Sequence, residues 1–284
     1  LPTEQALLPR TVSEKERTDL FARYSMAGSL VAAFGALASG LPEWIERHSR
    51  YNFDQAVDVM FLLYGALGVA AFFLYHRLSP ELEPSHTEKA PLNESRGIVY
   101  RLAALFSLDS FASGIAVQSM IALWLFQKFE LSAGTTGTIF FAAGLLTSVS
   151  YLAAARLAKR IGLVRTMVFT HLPANCLLIL APFMPTVQLA VACLLIRSFL
   201  SSMDVPARTS YVMAVVTPPE RPAAASVTNV PRSLASAIGP TISGALLSNS
   251  AFGWPLVIAG SLKVVYDLTL LKMFRDIKPP EEQG

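Results

Sequence analysis

Residues 55–76 read QAVDVMFLLYGALGVAAFFLYH, and a few positions on, residues 79–85 read SPELEPS. The first stretch is 22 residues long and holds a single acid, Asp58, near one end. At 1.5 Å rise per residue, a helix needs roughly 20 apolar residues to cross a bilayer. Inside lipid only helices and closed barrels satisfy their backbone groups, and this stretch lacks the alternation of a barrel strand. The spacing therefore predicts a transmembrane helix. The second stretch is too polar and Pro-rich to continue it, and Asp58 is expected to be solvated at the membrane edge.

The same pattern recurs in both directions. Apolar blocks fall at about 20–40, 55–76, 100–126, 133–155, 166–184, 187–210, 223–248 and 252–274. The composition agrees: 53% of residues are hydrophobic and 15% charged, with a mean hydropathy of +0.47, against about 25% charged in an ordinary soluble domain. The fold class is an all-α membrane protein with about eight transmembrane helices. The polar stretch around residues 77–99 reads as a linker. It divides two spans (1–76) from six (100–275), and residues 276–284 form a tail. A soluble binding module is excluded by the span count. A net charge of +3 is small for a nucleic-acid binder.

The basic residues alternate from loop to loop. One set of loops holds seventeen: Arg10, Lys15, Arg17, Arg23, Arg77, Lys89, Arg96, Arg101, Arg156, Lys159, Arg160, Arg165, Arg208, Arg221, Lys272, Arg275 and Lys278. The other set holds three, Arg47, Arg50 and Lys128. Lys and Arg concentrate in cytoplasmic loops, so both termini and the linker are expected there. Cys176 and Cys193 fall inside apolar blocks and read as small buried hydrophobes. The four histidines, His48, His76, His86 and His171, show no ligand spacing, so no metal or other cofactor is expected. The expected partners are the lipid bilayer, a small solute and protons, with no nucleic acid.

A repeat links the two parts. At an offset of 204, Glu16-Arg17, Ser29-Leu30, Ala33, Gly35 and Ser39-Gly40 meet Glu220-Arg221, Ser233-Leu234, Ala237, Gly239 and Ser243-Gly244. Each copy starts at a basic loop and is followed by a returning span. Parallel repeats of this kind are one plan of secondary transporters. If the unit is six spans, four lie upstream of Leu1, and the chain reads as a piece of a longer protein.

From about Glu16 to Arg275 the chain resembles the major facilitator superfamily. The resemblance covers the last two helices of an N-terminal half, the central loop and a whole C-terminal half, an incomplete 6+6 architecture. It rests also on the basic loop from Ala155 to Arg165, where Leu157, Ala158, Arg160 and Gly162 fit the family pattern G-x-L-a-D-R-x-G-R. Ala155 replaces the first Gly and Lys159 the Asp, which weakens the carry-over of a gating role to Arg156, Lys159, Arg160, Gly162 and Arg165. An intramembrane Arg followed four residues on by a small residue is matched by Arg197 and Ser201. The resemblance implies solute transport by alternating access and names no substrate.

Ionisable groups inside spans are costly and mark candidate sites. Asp109 lies about nine residues into its span, roughly 13 Å deep. It can bind a cationic group, carry a proton or pair with an Arg, in a polar stripe with Ser110, Ser113, Gln118 and Ser119. Asp204 shares a helix face with Arg197 and precedes Arg208 by four residues, with Pro206 expected to bend or end the helix. With Asn229 and Arg232 these form an expected charged cluster, either a latch or a contact for substrate or protons. Lys263 and Asp267, four apart, are expected to pair with each other. Gly28, Gly35, Gly40, Gly239, Pro240 and Gly244 allow close helix contact or, at Gly239-Pro240, a hinge. Two other functions stay open: a receptor or assembly protein on a transporter fold, and a polytopic membrane enzyme. The second lacks the clustered His, Asp or Cys it needs.

Overall fold

A computed structural model describes residues 16–77 and 91–277. Expectations for Arg10, Lys15, His86, Lys89 and Lys278, for linker residues 78–90 and for the tail beyond Ile277 fall outside the described residues. The helices are α1 (Arg17–Ala38), α2 (Leu41–His48), α3 (Phe53–His76), α4 (Arg96–Ile115), α5 (Gln118–Phe129), α6 (Ala133–Ile161), α7 (Leu163–Leu180), α8 (Val187–Ser201), α9 (Asp204–Ala214), α10 (Arg221–Asn249) and α11 (Trp254–Phe274). Among the described residues there is no strand.

Local chemistry sets several ends. Ser132 caps α6 by accepting from the Thr135 N–H at 3.2 Å, and Thr186 caps α8 by accepting from the Leu189 N–H at 3.4 Å, satisfying donors that a helix start leaves open. α6 stops at Gly162, whose φ of +88° is a conformation other residues avoid. Two expected spans are interrupted. The first breaks at Ala116–Val117, where Val117 is extended. The second breaks at Ser202–Met203, so Pro206 sits in the first turn of a new helix, where its missing N–H costs nothing. Pro231 and Pro240 are both carried inside the continuous α10.

Among the described residues six segments are long and apolar enough to cross a membrane: 18–48, 53–74, 96–129, 133–161, 163–183 and 187–214. α10 and α11 have the length, 29 and 21 residues. Both turn polar side chains inward, including Ser243, Lys263 and Asp267.

α4 packs chiefly on α10, α1 on α6, and α11 on α7 and α4. α3 touches mainly α2, and its Phe61, Leu62, Tyr64 and Leu74 are all more than 65% exposed. Such an apolar surface requires a non-aqueous neighbour. The two-span part does not stand apart as a unit. Phe21 of α1 lies in one hydrophobic cluster with Leu102, Phe106, Met167, Tyr211 and Phe274, near the basic loops. A second cluster, around Ile115, Trp124, Leu178, Leu194 and Leu256, fills the opposite end. Between the two, α4, α7 and α11 each place polar residues on the inside. Burying a charge is tolerable only if it is paired and hydrogen-bonded, so this layer is where chemistry concentrates.

Candidate transport site

The layer is built by i,i+4 repeats on three helices. Asp109 and Ser113 of α4, His171 and Asn175 of α7, and Lys263 and Asp267 of α11 each share a face. Lys263 Nζ reaches Asp109 Oδ1 at 2.6 Å and donates to Ser113 Oγ at 2.7 Å. Arg208 Nη1 lies 3.2 Å from Asp109 Oδ2 and 3.1 Å from Asp204 Oδ2. His171 bridges two acids: its Nδ1 is 2.8 Å from Asp267 Oδ1 and its Nε2 is 3.9 Å from Asp109 Oδ1. Asn175 Nδ2 donates to Asp267 Oδ2 at 2.8 Å. Asp109, His171, Lys263 and Asp267 are all buried. In this chain of contacts three carboxylates, Asp109, Asp204 and Asp267, meet Lys263, Arg208 and His171.

Several expected neighbours separate. Lys263 and Asp267 do not pair with each other: packing aims Lys263 at α4 and Asp267 at α7. Arg197 forms no ion pair with Asp204, which lies beyond the helix break and is held by Arg208. Arg232 makes no ion pair within 4.0 Å among the described residues; its Nε donates to Ser110 Oγ at 3.1 Å and its Nη1 to Asn229 Oδ1 at 3.3 Å. Both Arg208 and Arg232 lie over the Phe106 ring, at 5.5 and 5.9 Å. Gln118 leaves the expected stripe because α4 ends before it, and it lines a cavity with Arg197.

His171, Asn175 and Asp267 were not expected in a site with Asp109. A signal was present: polar pairs four apart, inside apolar blocks, on two different helices.

The glycines divide. A Cβ on Gly239 would lie 2.2 Å from the Gly114 carbonyl carbon, so α10 and α4 cross backbone to backbone. A Cβ on Gly40 would lie 3.3 Å from Gly134 Cα, a tight approach that the glycine relieves. At Gly28, Gly35 and Gly244 a Cβ would meet nothing within 4 Å, so the close contact expected there is absent among the described residues. The α1–α6 crossing instead uses Gly137 and Gly144 of α6, against Ala36 and Ala33.

At the basic end Arg156, Lys159, Arg160 and Arg165 are exposed. Lys159 pairs with Asp19 of α1, and Thr18 Oγ1 donates to Ser210 Oγ of α9 at 2.8 Å. Glu220, just before α10, accepts the backbone N–H groups of Asn93, Glu94 and Ser95 at 2.7, 2.9 and 3.0 Å. It thereby satisfies the backbone donors of the turn that leads into α4. These hydrogen bonds, that from Asn93 first, pull its carboxyl down to about 2.

Comparison with known proteins bears on the fold and the family. The chain is 23% identical to the uncharacterized membrane protein YJR124C of Saccharomyces cerevisiae, over 95% of this chain and 68% of that protein. Its structure is similar to the crystal structure of the human organic anion transporter MFSD10 (TETRAN), with a TM-score of 0.69 and 18% identity. That likeness covers 95% of this chain and 67% of the other. Residues 102–284 match the family model of the Major Facilitator Superfamily, and with that match over more than half its length the chain belongs to this superfamily.

Proposed function

We propose that this membrane transporter moves a small solute by alternating access and couples that movement to protons through the buried layer of Asp109, His171, Lys263 and Asp267. The observation that carries the reading is His171, set between two carboxylates on different helices. A proton taken up in this layer alters the charge balance at Asp109 and Asp267 together, because His171 contacts both. With His171 neutral, Lys263 and Arg208 hold Asp109 and tie α11 and α9 to α4. With His171 charged, Asp109 gains a further cation and its hold on Lys263 loosens. The helices then shift relative to one another, which is the movement alternating access needs.

In this reading the basic end faces the cytoplasm, and Lys159–Asp19 with Thr18–Ser210 close that side. Gly162 shapes the turn between α6, which carries Arg156 and Arg160, and α7, which carries Arg165. Membership of a transporter superfamily favours transport over membrane enzymology.

The test is flux in vesicles holding the full-length protein, with a panel of labelled solutes. A solute is expected to accumulate under an imposed pH gradient. Asp109→Asn should abolish that accumulation while leaving solute exchange at equal pH. Flux insensitive to the pH gradient for every transported solute would sink the coupling. Reagents that label a cysteine placed at Arg160 only from outside the cell would sink the orientation.

A further inference from the structure

A cavity of about 250 Å³ lies between α1, α5, α6 and α8. Its wall combines the methyl groups of Ala33, Ala36 and Ala143 and the ring of Phe140 with polar side chains, among them Thr147, Ser198, Gln118 and Arg197. The hydroxyls on it are engaged: Thr147 Oγ1 donates to the Ser198 carbonyl at 3.1 Å, and Ser198 Oγ to the Leu194 carbonyl at 2.8 Å. Two polar groups are not. The Nε of Arg197 is buried with no hydrogen-bond partner, and no carboxylate lies within 4.0 Å of this guanidinium among the described residues. Gln118 has no side-chain partner there either.

A guanidinium keeps its charge under all ordinary conditions and is costly to bury without a counter-ion. The nearby acids are committed: Asp109 to Lys263 and Arg208, and Asp204 to Arg208. Gln118 is also the first residue of α5, a helix start with no side-chain cap. Its first N–H groups add partial positive charge to the same wall. A second cavity of about 300 Å³ shares Gln118 and Phe140 and runs toward Phe126.

We infer that Arg197 and Gln118 form the recognition site for an organic anion, with its oxyanion head on the guanidinium and its apolar body along Phe140 toward Phe126. The inference rests on the transport reading and supplies its substrate class. The planar guanidinium suits a two-oxygen head, and a cation of equal size meets repulsion instead.

The experiment uses purified full-length protein in lipid nanodiscs, titrated calorimetrically with benzoate and with its cationic counterpart benzylamine. Benzoate should bind and benzylamine should not. Arg197→Gln should weaken benzoate by at least about tenfold, and Arg197→Lys by less, since a lysine keeps the charge but not the fork. Ala143→Leu fills the cavity without touching a charge and should also weaken benzoate. Thermal melting of each variant reports whether it is folded. No benzoate binding, or equal binding by wild type and a folded Arg197→Gln, overturns the site. Benzoate binding of the expected pattern in a protein that moves no solute overturns the transport reading and keeps the site. Solute flux indifferent to both Arg197→Gln and excess benzoate does the reverse.

Discussion

Helices α1 and α10 begin with the same Glu-Arg pair and share the same Ser, Ala and Gly spacing, yet they pack in different ways. α10 lies on α4, a helix that carries Asp109, and crosses it at Gly239 and Gly114 with no side chain between. α1 lies on α6, and there the equivalent Gly35 faces open space while α6 supplies the glycines. The chemistry differs as well. Where α10 has Asn229, Pro231 and Arg232, α1 has Ser25, Ala27 and Gly28. The α10 seam joins a guanidinium to Ser110, and the α1 seam joins two hydroxyls, Ser29 and Ser148. A repeat thus preserves the small residues that let helices come close. The partner decides which of them are used.

The largest test of this contrast lies beneath the α10 seam. Asp109→Ala leaves Lys263 buried without its acid, and breaking such a pair costs about 3–5 kcal/mol. Ser148→Ala at the α1 seam removes a neutral hydrogen bond, worth about 1 kcal/mol. Denaturation of the protein in bicelles should show the two losses well apart, and equal losses would erase the distinction between the charged layer on α4 and the neutral seam of α1.

Next in size is the glycine pair. Gly239→Ala forces the α4 and α10 backbones apart and should cost about 1–3 kcal/mol or more. Gly35→Ala, with room for the methyl, should stay within about 0.5 kcal/mol of wild type or stabilise α1 slightly. If both are harmless, the backbone crossing is not what holds α10. Vesicle flux by a folded Gly239→Ala protein would further show whether Gly239-Pro240 also bends during transport.

A local effect follows from the Glu-Arg pair itself. The Glu220 carboxyl is held at about 2, below its ordinary 4.5. A lowered carboxylate stabilises above its ordinary value and stops doing so as pH falls through the folded one. Protection of the Asn93, Glu94 and Ser95 amides from hydrogen exchange, corrected for intrinsic rates, should fall between pH 4.5 and 2. Glu220→Gln should remove that pH dependence, and Glu16→Gln should leave it intact. The smallest effect is expected at the start of α1, where Asp19 meets Lys159. Lys159→Ala breaks an exposed ion pair, which is worth about 0–1 kcal/mol.

Much of this was legible in the residues. Asp109, Asp204, Arg208 and Arg232 stood out because charge inside an apolar block is rare. Pro206 marked a break through its missing N–H, but the break falls before Asp204 and not between Asp204 and Arg208, which share one helix. Other features were hidden for stated reasons. His171 looked isolated because its acids lie 96 positions away on α11 and 62 positions away on α4. Lys263 and Asp267 looked like a pair because they are neighbours along one helix. The break before Gln118 carried no Pro or Gly at the break itself, and it moved that residue from one site to another.

The solvent, the helical class and the repeat are written in the residues, because these depend on local composition and on spacing along one chain. Which polar groups meet is a matter of packing. A helix that is apolar on nearly all sides has no preferred rotation of its own. Packing sets that rotation, through contacts such as Gly114 on Gly239 and Lys263 on Asp109, 154 residues apart. The same packing leaves Arg197 on a cavity wall with no acid to meet it.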